Sequence, residues 1–268
     1  MDDVLYEARM LAASGVKELI VVAQDTSRYG TDLPGHKRLL PELLKKLCEI
    51  EELHWIRVHY VYPDEIDDEF IDVMASEPKI VKYLDIPIQH CNSKILKLMN
   101  RRGDGNFLRE LFGKLRSRIP GLVIRTSLIT GLPGEGEEEF QELCDFLREQ
   151  RLERVGAFAF SPEEGTPAAE MEFVDNEVAL KRAELVEMLQ SSIMDDYNAS
   201  FLDKDLEILV DGYDDEMEQF YGRTYADSPD IDGRVWLASQ EPLQEGQFVM
   251  AHIDGCVDGD LTGYVLED

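Results

Sequence analysis

Cysteine and cationic side chains are both scarce in this chain of 268 residues, and each scarcity removes a class of function. The four cysteines, Cys48, Cys91, Cys144 and Cys256, stand far apart, with no CxxC, CxxxC or Cys/His pair at the spacing a metal site requires. No metal ligand is assigned, and buried free thiols are expected at all four. Lys and Arg number 27 against 56 Asp and Glu, a net charge of -29. A phosphate backbone is bound by cations that displace its counterions, so this balance opposes nucleic-acid binding and favours a basic protein partner. Long apolar runs are missing as well: none approaches the roughly 20 residues of a membrane span. The first residues, MDDVLYEARM, carry neither a basic nor an apolar leader pattern, so the expectation is a cytoplasmic protein with no membrane partner.

What is present is an alternation. Helical periodicity and short β-branched runs succeed each other through most of the chain, which is the pattern of βαβ units and a parallel sheet. Asp2–Ala13 reads as an amphipathic helix with Val4, Leu5, Ala8 and Leu11 on its apolar face. Strands are expected at 18–23, 55–59, 83–87, 122–129 and 155–160. Helices are expected at 39–49, 66–76, 95–99, 107–118, Glu137–Gln150 and 177–201. The alternation opens on a helix, so a parallel barrel is expected to begin one strand late. After residue 201 the composition changes to strand-like runs at 206–210, 221–225, 234–237, 248–253 and 261–266, separated by Gly, Asp and Pro turns. The fold class is therefore α/β: a partial parallel TIM-like barrel over 1–201, followed by a small all-β barrel over 202–268.

In parallel barrels the chemistry sits at the carboxyl ends of the strands. The residues there are polar: Gln24-Asp25-Thr26, His59-Tyr60, Gln89-His90, Thr130-Gly131 and Ser161-Pro162. Any one pair is ordinary for a surface loop, but their joint placement on one rim points to a ligand mouth. The turn Gly131-Leu132-Pro133-Gly134-Glu135 leads into a helix whose first turn holds Glu137, Glu138 and Glu139, a cluster that suits the positive helix end and would repel a phosphate. The glycine pair predicts close backbone approach to an uncharged or cationic ligand.

Four segments together carry a family likeness: QDTSRYG (24–30), LDIPIQHCNSKILKLMNRRG (84–103), RTSLITGLPGE (125–135) and FAFSPEEGTPAA (158–169). In order and spacing they resemble the barrel motifs of the radical-SAM methylthiotransferases. The segments ILVDGYDDE, GRVWL and GQFVMAHIDGCVDGDLTGYVL resemble the OB-like TRAM domain that follows the barrel in that family.

The resemblance implies a transferase that adds a methylthio group to an unactivated carbon, using S-adenosylmethionine and two 4Fe-4S clusters. It places the S-adenosylmethionine pocket at Gln24, Gln89, Thr130, Gly131 and Phe160. The cluster ligands of the family are a CxxxCxxC motif that has no counterpart here, so this chain alone is expected to hold neither cluster and to be inactive. Two branches are open, one modifying transfer RNA and the RimO-type branch modifying an aspartate of a basic small-subunit ribosomal protein. From residue 200 to 268 there are 3 Lys/Arg and 18 Asp/Glu, a balance of -15. Such a module suits a basic protein better than RNA, so the RimO-type branch is preferred. A transfer-RNA methylthiotransferase and a non-catalytic protein-binding scaffold are the alternatives.

Overall fold

The structure is a computed structural model that describes residues 1–267. Strands β1 (Glu18–Val21), β2 (Trp55–Val58), β3 (Ile80–Asp85), β4 (Val123–Thr130) and β5 (Arg154–Ala159) form one sheet in sequence order. Every neighbouring pair in it is parallel. Helices α1 (Asp2–Ala13), α2 (Leu40–Cys48), α3 (Asp68–Ser76), α4 (Ser93–Leu98), α5 (Gly105–Arg118), α6 (Glu137–Gln150) and α7 (Asn176–Ala199) supply the crossovers and the closing helix.

The helices form where the apolar period is 3.6 and a polar residue can cap the first turn. Asp67 accepts from the amide of Phe70, and Asp104 from that of Phe107. Along α6, Phe140, Leu143, Cys144 and Leu147 lie on one face at i, i+3, i+4 and i+7. They join Ile56, Val58, Leu84, Ile124 and Leu128 of the sheet in one continuous core. The alternate residues of the same strands point to the other, inner face of the sheet.

Strands β6 (Asp205–Asp214), β7 (Gln219–Arg223), β8 (Val235–Ala238), β9 (Phe248–Val257) and β10 (Asp260–Val265) close a separate barrel in the order β10-β8-β7-β6-β9. Ile208, Val210, Val235, Leu237, Ala251, Ile253 and Leu261 fill it. That core is continuous with inner-face residues at the lower end of the large sheet, Trp55, Val81, Tyr83 and Val123. Trp55 meets Phe248 edge-on, with ring centroids 4.8 Å apart.

Several details differ from the expectations. The buried face of α1 is Leu5, Ala8 and Ala12, while Val4 and Leu11 are exposed, because α1 packs along one edge of the helix layer rather than over it. The third strand starts at Ile80, three residues early; Lys82, whose polarity hid it, extends its ammonium to the carbonyls of Met74, Ala75 and Glu77. The small barrel is not purely antiparallel, since β8 and β10 run parallel. Five strands in a closed ring cannot all alternate in direction, so one parallel pair is required. Of the cysteines, Cys91 and Cys144 are buried, whereas Cys48 and Cys256 are only half-buried.

Candidate functional site

The inner face of the large sheet is polar where a barrel lumen would ordinarily be packed with apolar layers. Arg57 of β2 is fully buried; its Nε donates to Glu18 Oε1 at 2.7 Å and its Nη1 to the Tyr225 carbonyl at 2.9 Å. Its guanidinium lies over the Tyr83 ring, 4.6 Å from the centroid, and the Tyr83 hydroxyl donates to Asp232 Oδ2 at 2.6 Å. Arg154 pairs with Asp227 at 2.7 Å, Arg223 bridges Glu18 and Asp211, and the hydroxyl of Ser228 is 3.1 Å from His59 Nε2.

Ser228, Asp227 and Asp232 come from one loop of the small barrel, between β7 and β8. This loop is the floor of the large sheet's interior. Burial pushes the His59 imidazole down to about 4, which keeps it neutral, and burial also raises the Tyr83 hydroxyl and the Asp232 carboxyl above their ordinary values. Arg57, Arg154 and Arg223 are each paired with a carboxylate here, so removing one partner would leave a buried charge uncompensated.

One layer above the floor lie His59, Asp85 and Arg125. The register pairs Val21 with Val58, Val58 with Leu84, and Asp85 with Arg125, so this layer is level with the ends of β1, β2 and β3. Strands β4 and β5 continue five residues further, to Thr130 and Ala159. Between their tips, Ile129, Leu132, Pro133, Phe158 and Phe160, with Leu98 and Met99 of the α4 end and Met171, line an apolar hollow of about 340 Å³. Phe158 is exposed on its wall, and Phe160 meets Phe173 edge-on at 5.3 Å.

The five residues expected to hold S-adenosylmethionine fall in three places. Phe160 lines the hollow. Gln89 stands beside it in a left-handed backbone conformation, φ 67°, hydrogen-bonded through its backbone to Ser127 and Ile129 of β4. Gln24 is exposed beyond the end of β1. Thr130 and Gly131 turn toward α7: the Thr130 hydroxyl donates to the Ala179 carbonyl at 2.8 Å, and a Cβ on Gly131 would lie 2.4 Å from the Ala179 Cβ. The close approach that requires glycine at 131 is to helix α7, and at Gly134 it is to Leu98. Of the first-turn glutamates, Glu139 acts inside the protein too, since it accepts from the Gly136 amide and from Lys94 and is held down to about 2, by the lysine first.

Reading motifs alone missed two groups. One is the charged inner layer, visible only as Arg57, Asp85, Arg125 and Arg154 interrupting apolar strand runs at alternate positions. The other ties two rim loops together: Glu135, fully buried, accepts from Arg182 and from the Gly131 amide, and its second oxygen is 3.4 Å from His90 Nε2. The His90 Nδ1 accepts from the Asn92 amide, so the Nε2 carries the proton toward that carboxylate.

Comparison with known proteins agrees with this geometry. The Radical SAM superfamily profile matches residues 1–147 and the TRAM domain profile residues 204–266. The chain is 46% identical to the ribosomal protein uS12 methylthiotransferase RimO of Acetivibrio thermocellus over 100% of its own length and 59% of that protein's. It is 48% identical to the RimO of Pelotomaculum thermopropionicum over 98% of this chain and 60% of the relative. It thus spans about three fifths of the curated relatives it matches. Among solved structures, coproporphyrinogen III oxidase (HemN) of Escherichia coli, a radical SAM enzyme, superposes with a TM-score of 0.55 over 71% of this chain and 45% of that one, at 19% identity, a likeness of fold alone. With a parallel sheet, a closed β-barrel docked beneath it and a profile match over more than half of its length, the chain belongs to the radical SAM superfamily, its radical-SAM domain followed by a TRAM domain.

Proposed function

We propose that this chain is the barrel and TRAM portion of an enzyme that adds a methylthio group to an aspartate side chain of the small-subunit ribosomal protein uS12. The observation that carries the reading is identity of 42 to 48% with RimO proteins over 98% or more of the chain. The acidic module supports it, since its balance of -15 suits a basic protein and would repel RNA. The division at 201/202 and a cytoplasmic location belong to the same reading; no helix among the described residues is long and apolar enough to cross a membrane.

S-adenosylmethionine fits the rim. The hollow beside Phe160 offers an aromatic face and an apolar wall to an adenine ring, and the Gln89 amide can bond ribose hydroxyls or the amino-acid end. Gln24, Thr130 and Gly131 complete the proposed pocket, the last two by holding the β4 tip against α7 rather than by side-chain contact. When bound and reduced by a cluster, this cofactor supplies a radical able to take hydrogen from an inert C–H bond.

The chain's own residues do not fit a 4Fe-4S cluster. Among the described residues no group of three or more Cys, His, Asp or Glu could hold a metal, and burial pushes the Cys91 thiol up to about 12 and the Cys48 thiol to about 11, away from the thiolate a ligand must be.

The test is a titration of the full chain with uS12 and with transfer RNA at two salt concentrations. The full chain is needed because the module's β7–β8 loop is seated in the barrel. Binding to uS12 that weakens as salt rises, with negligible binding to transfer RNA, is expected. Tighter binding to transfer RNA would move the chain to the other branch.

A further inference from the structure

Three arginines project from the inner face of the large sheet, and their exposure differs in a way that separates their roles. The side chains of Arg57 and Arg154 are 0% and 4% exposed and lie in the floor against the TRAM loop. That of Arg125 is 13% exposed and lies one layer higher, level with the ends of β1, β2 and β3. Its Nη1 donates to Asp85 Oδ1 at 2.9 Å, an end-on contact that uses one of five guanidinium donors. No other hydrogen bond to this guanidinium is formed among the described residues, yet its Nε and Nη2 are not sealed from water as the spare nitrogens of Arg57 and Arg154 are. Above it on the same face of β4 stand Ser127 and Ile129, both only half-buried, and then the open hollow.

A guanidinium held at one corner by an internal aspartate, with a free edge facing an open mouth, is a receptor for a second carboxylate. Its planar fork matches both carboxylate oxygens at once. The protein carries a net charge of -29, which opposes the approach of a carboxylate ligand, so a displayed cation is needed to hold one. We propose that Arg125 binds the side-chain carboxylate of an aspartyl residue in a peptide entering the mouth, with Asp85 aligning the guanidinium from below. The inference rests on the aspartate-modifying reading and deepens it, by naming the group that selects aspartate over asparagine. The carboxylate could have a second source, the amino-acid end of S-adenosylmethionine, and the experiment separates the two.

The full chain is titrated by calorimetry with an acetylated, amidated pentapeptide bearing lysines at both ends and aspartate at its centre, with its asparagine twin, and with S-adenosylhomocysteine. The expected preference for the aspartate peptide is about tenfold or more, the worth of a charge-assisted bond to a buried cation. Arg125→Met abolishes that preference and Arg125→Lys keeps part of it. Asp85→Asn, which removes the internal competitor, tightens the aspartate peptide, an effect that a purely structural ion pair would not produce. Should Arg125→Met lose the wild-type near-ultraviolet circular dichroism, Arg125→Lys and Asp85→Asn decide.

Equal binding of the two peptides by the wild type, binding of neither, or a preference that survives in Arg125→Met overturns the proposal. So does a loss confined to S-adenosylhomocysteine, which would assign Arg125 to the cofactor. A parallel titration with intact uS12 keeps the two readings apart. If uS12 binds and its affinity is indifferent to Arg125→Met, the receptor fails and the functional reading stands; if the peptide preference depends on Arg125 while uS12 does not bind, the reverse holds.

Discussion

Replacing Asp227 by alanine removes the anionic half of a buried ion pair that joins the two domains. Asp227 and Arg154 are each 4% exposed at the side chain and meet at 2.7 Å. Asp227 also accepts from the Thr224 hydroxyl at 2.6 Å, while Arg154 has only longer contacts in reserve, 3.3 Å to Asn198 and 3.4 Å to the Glu153 carbonyl. Orphaning one member of a buried pair costs about 3–5 kcal/mol, because the remaining charge has neither water nor partner. At about 2–4 °C per kcal/mol for a chain of this size, the melting temperature should fall by about 6–20 °C. Scanning calorimetry and urea unfolding measure it.

Because Arg154 belongs to β5 and Asp227 to the TRAM loop, the loss should appear in one shared transition rather than in that of the small barrel alone. The double variant Arg154→Met/Asp227→Ala should recover about 1–3 kcal/mol relative to the sum of the single variants, since no stranded cation remains. A loss below about 1 kcal/mol for Asp227→Ala, strict additivity in the double variant, or two independent transitions would refute the view that the module is the floor of the barrel.

The His59 imidazole is held near 4 by burial, so the folded state stays neutral where the unfolded chain, at its ordinary 6.5, takes up a proton; its contribution is intact above about pH 6.5 and is lost as pH falls toward 4, by about 3 kcal/mol at most. His59→Gln should flatten that part of the stability–pH curve, and an unchanged slope would place the proton uptake elsewhere. Gly131→Ala, at φ 77° and 2.4 Å from the Ala179 Cβ, should cost about 2 kcal/mol or more in urea unfolding, with partial rescue by Ala179→Gly. Anaerobic treatment of this chain with iron and sulfide should leave no cysteine-liganded cluster by visible absorption and yield no 5′-deoxyadenosine; a stoichiometric cluster would show that the buried thiols are reachable after all.

Much of the architecture was legible without coordinates, because it depends on local periodicity. Alternating helical and β-branched runs specify a parallel sheet wherever they occur, and the bounds of α1 and α6 coincide with the expected ones. Motif order named the superfamily for the same reason, since a motif is a property of consecutive residues. The geometry of the proposed site was less legible. Phe160 lines the hollow between the strand tips, while the packing of Thr130 and Gly131 depends on Ala179, 49 residues from Thr130, and no local pattern announces that a tight turn will be covered by a helix.

The charged interior was decided by tertiary structure alone. Arg154 and Asp227 are 73 residues apart and Glu18 and Arg223 are 205 apart. An arginine at an inward position of a strand specifies only that some counter-charge must reach it, because an unpaired buried cation is too costly to keep. Which carboxylate reaches it, and whether one edge of the guanidinium stays open as at Arg125, follows from how the small barrel seats its loop beneath the sheet.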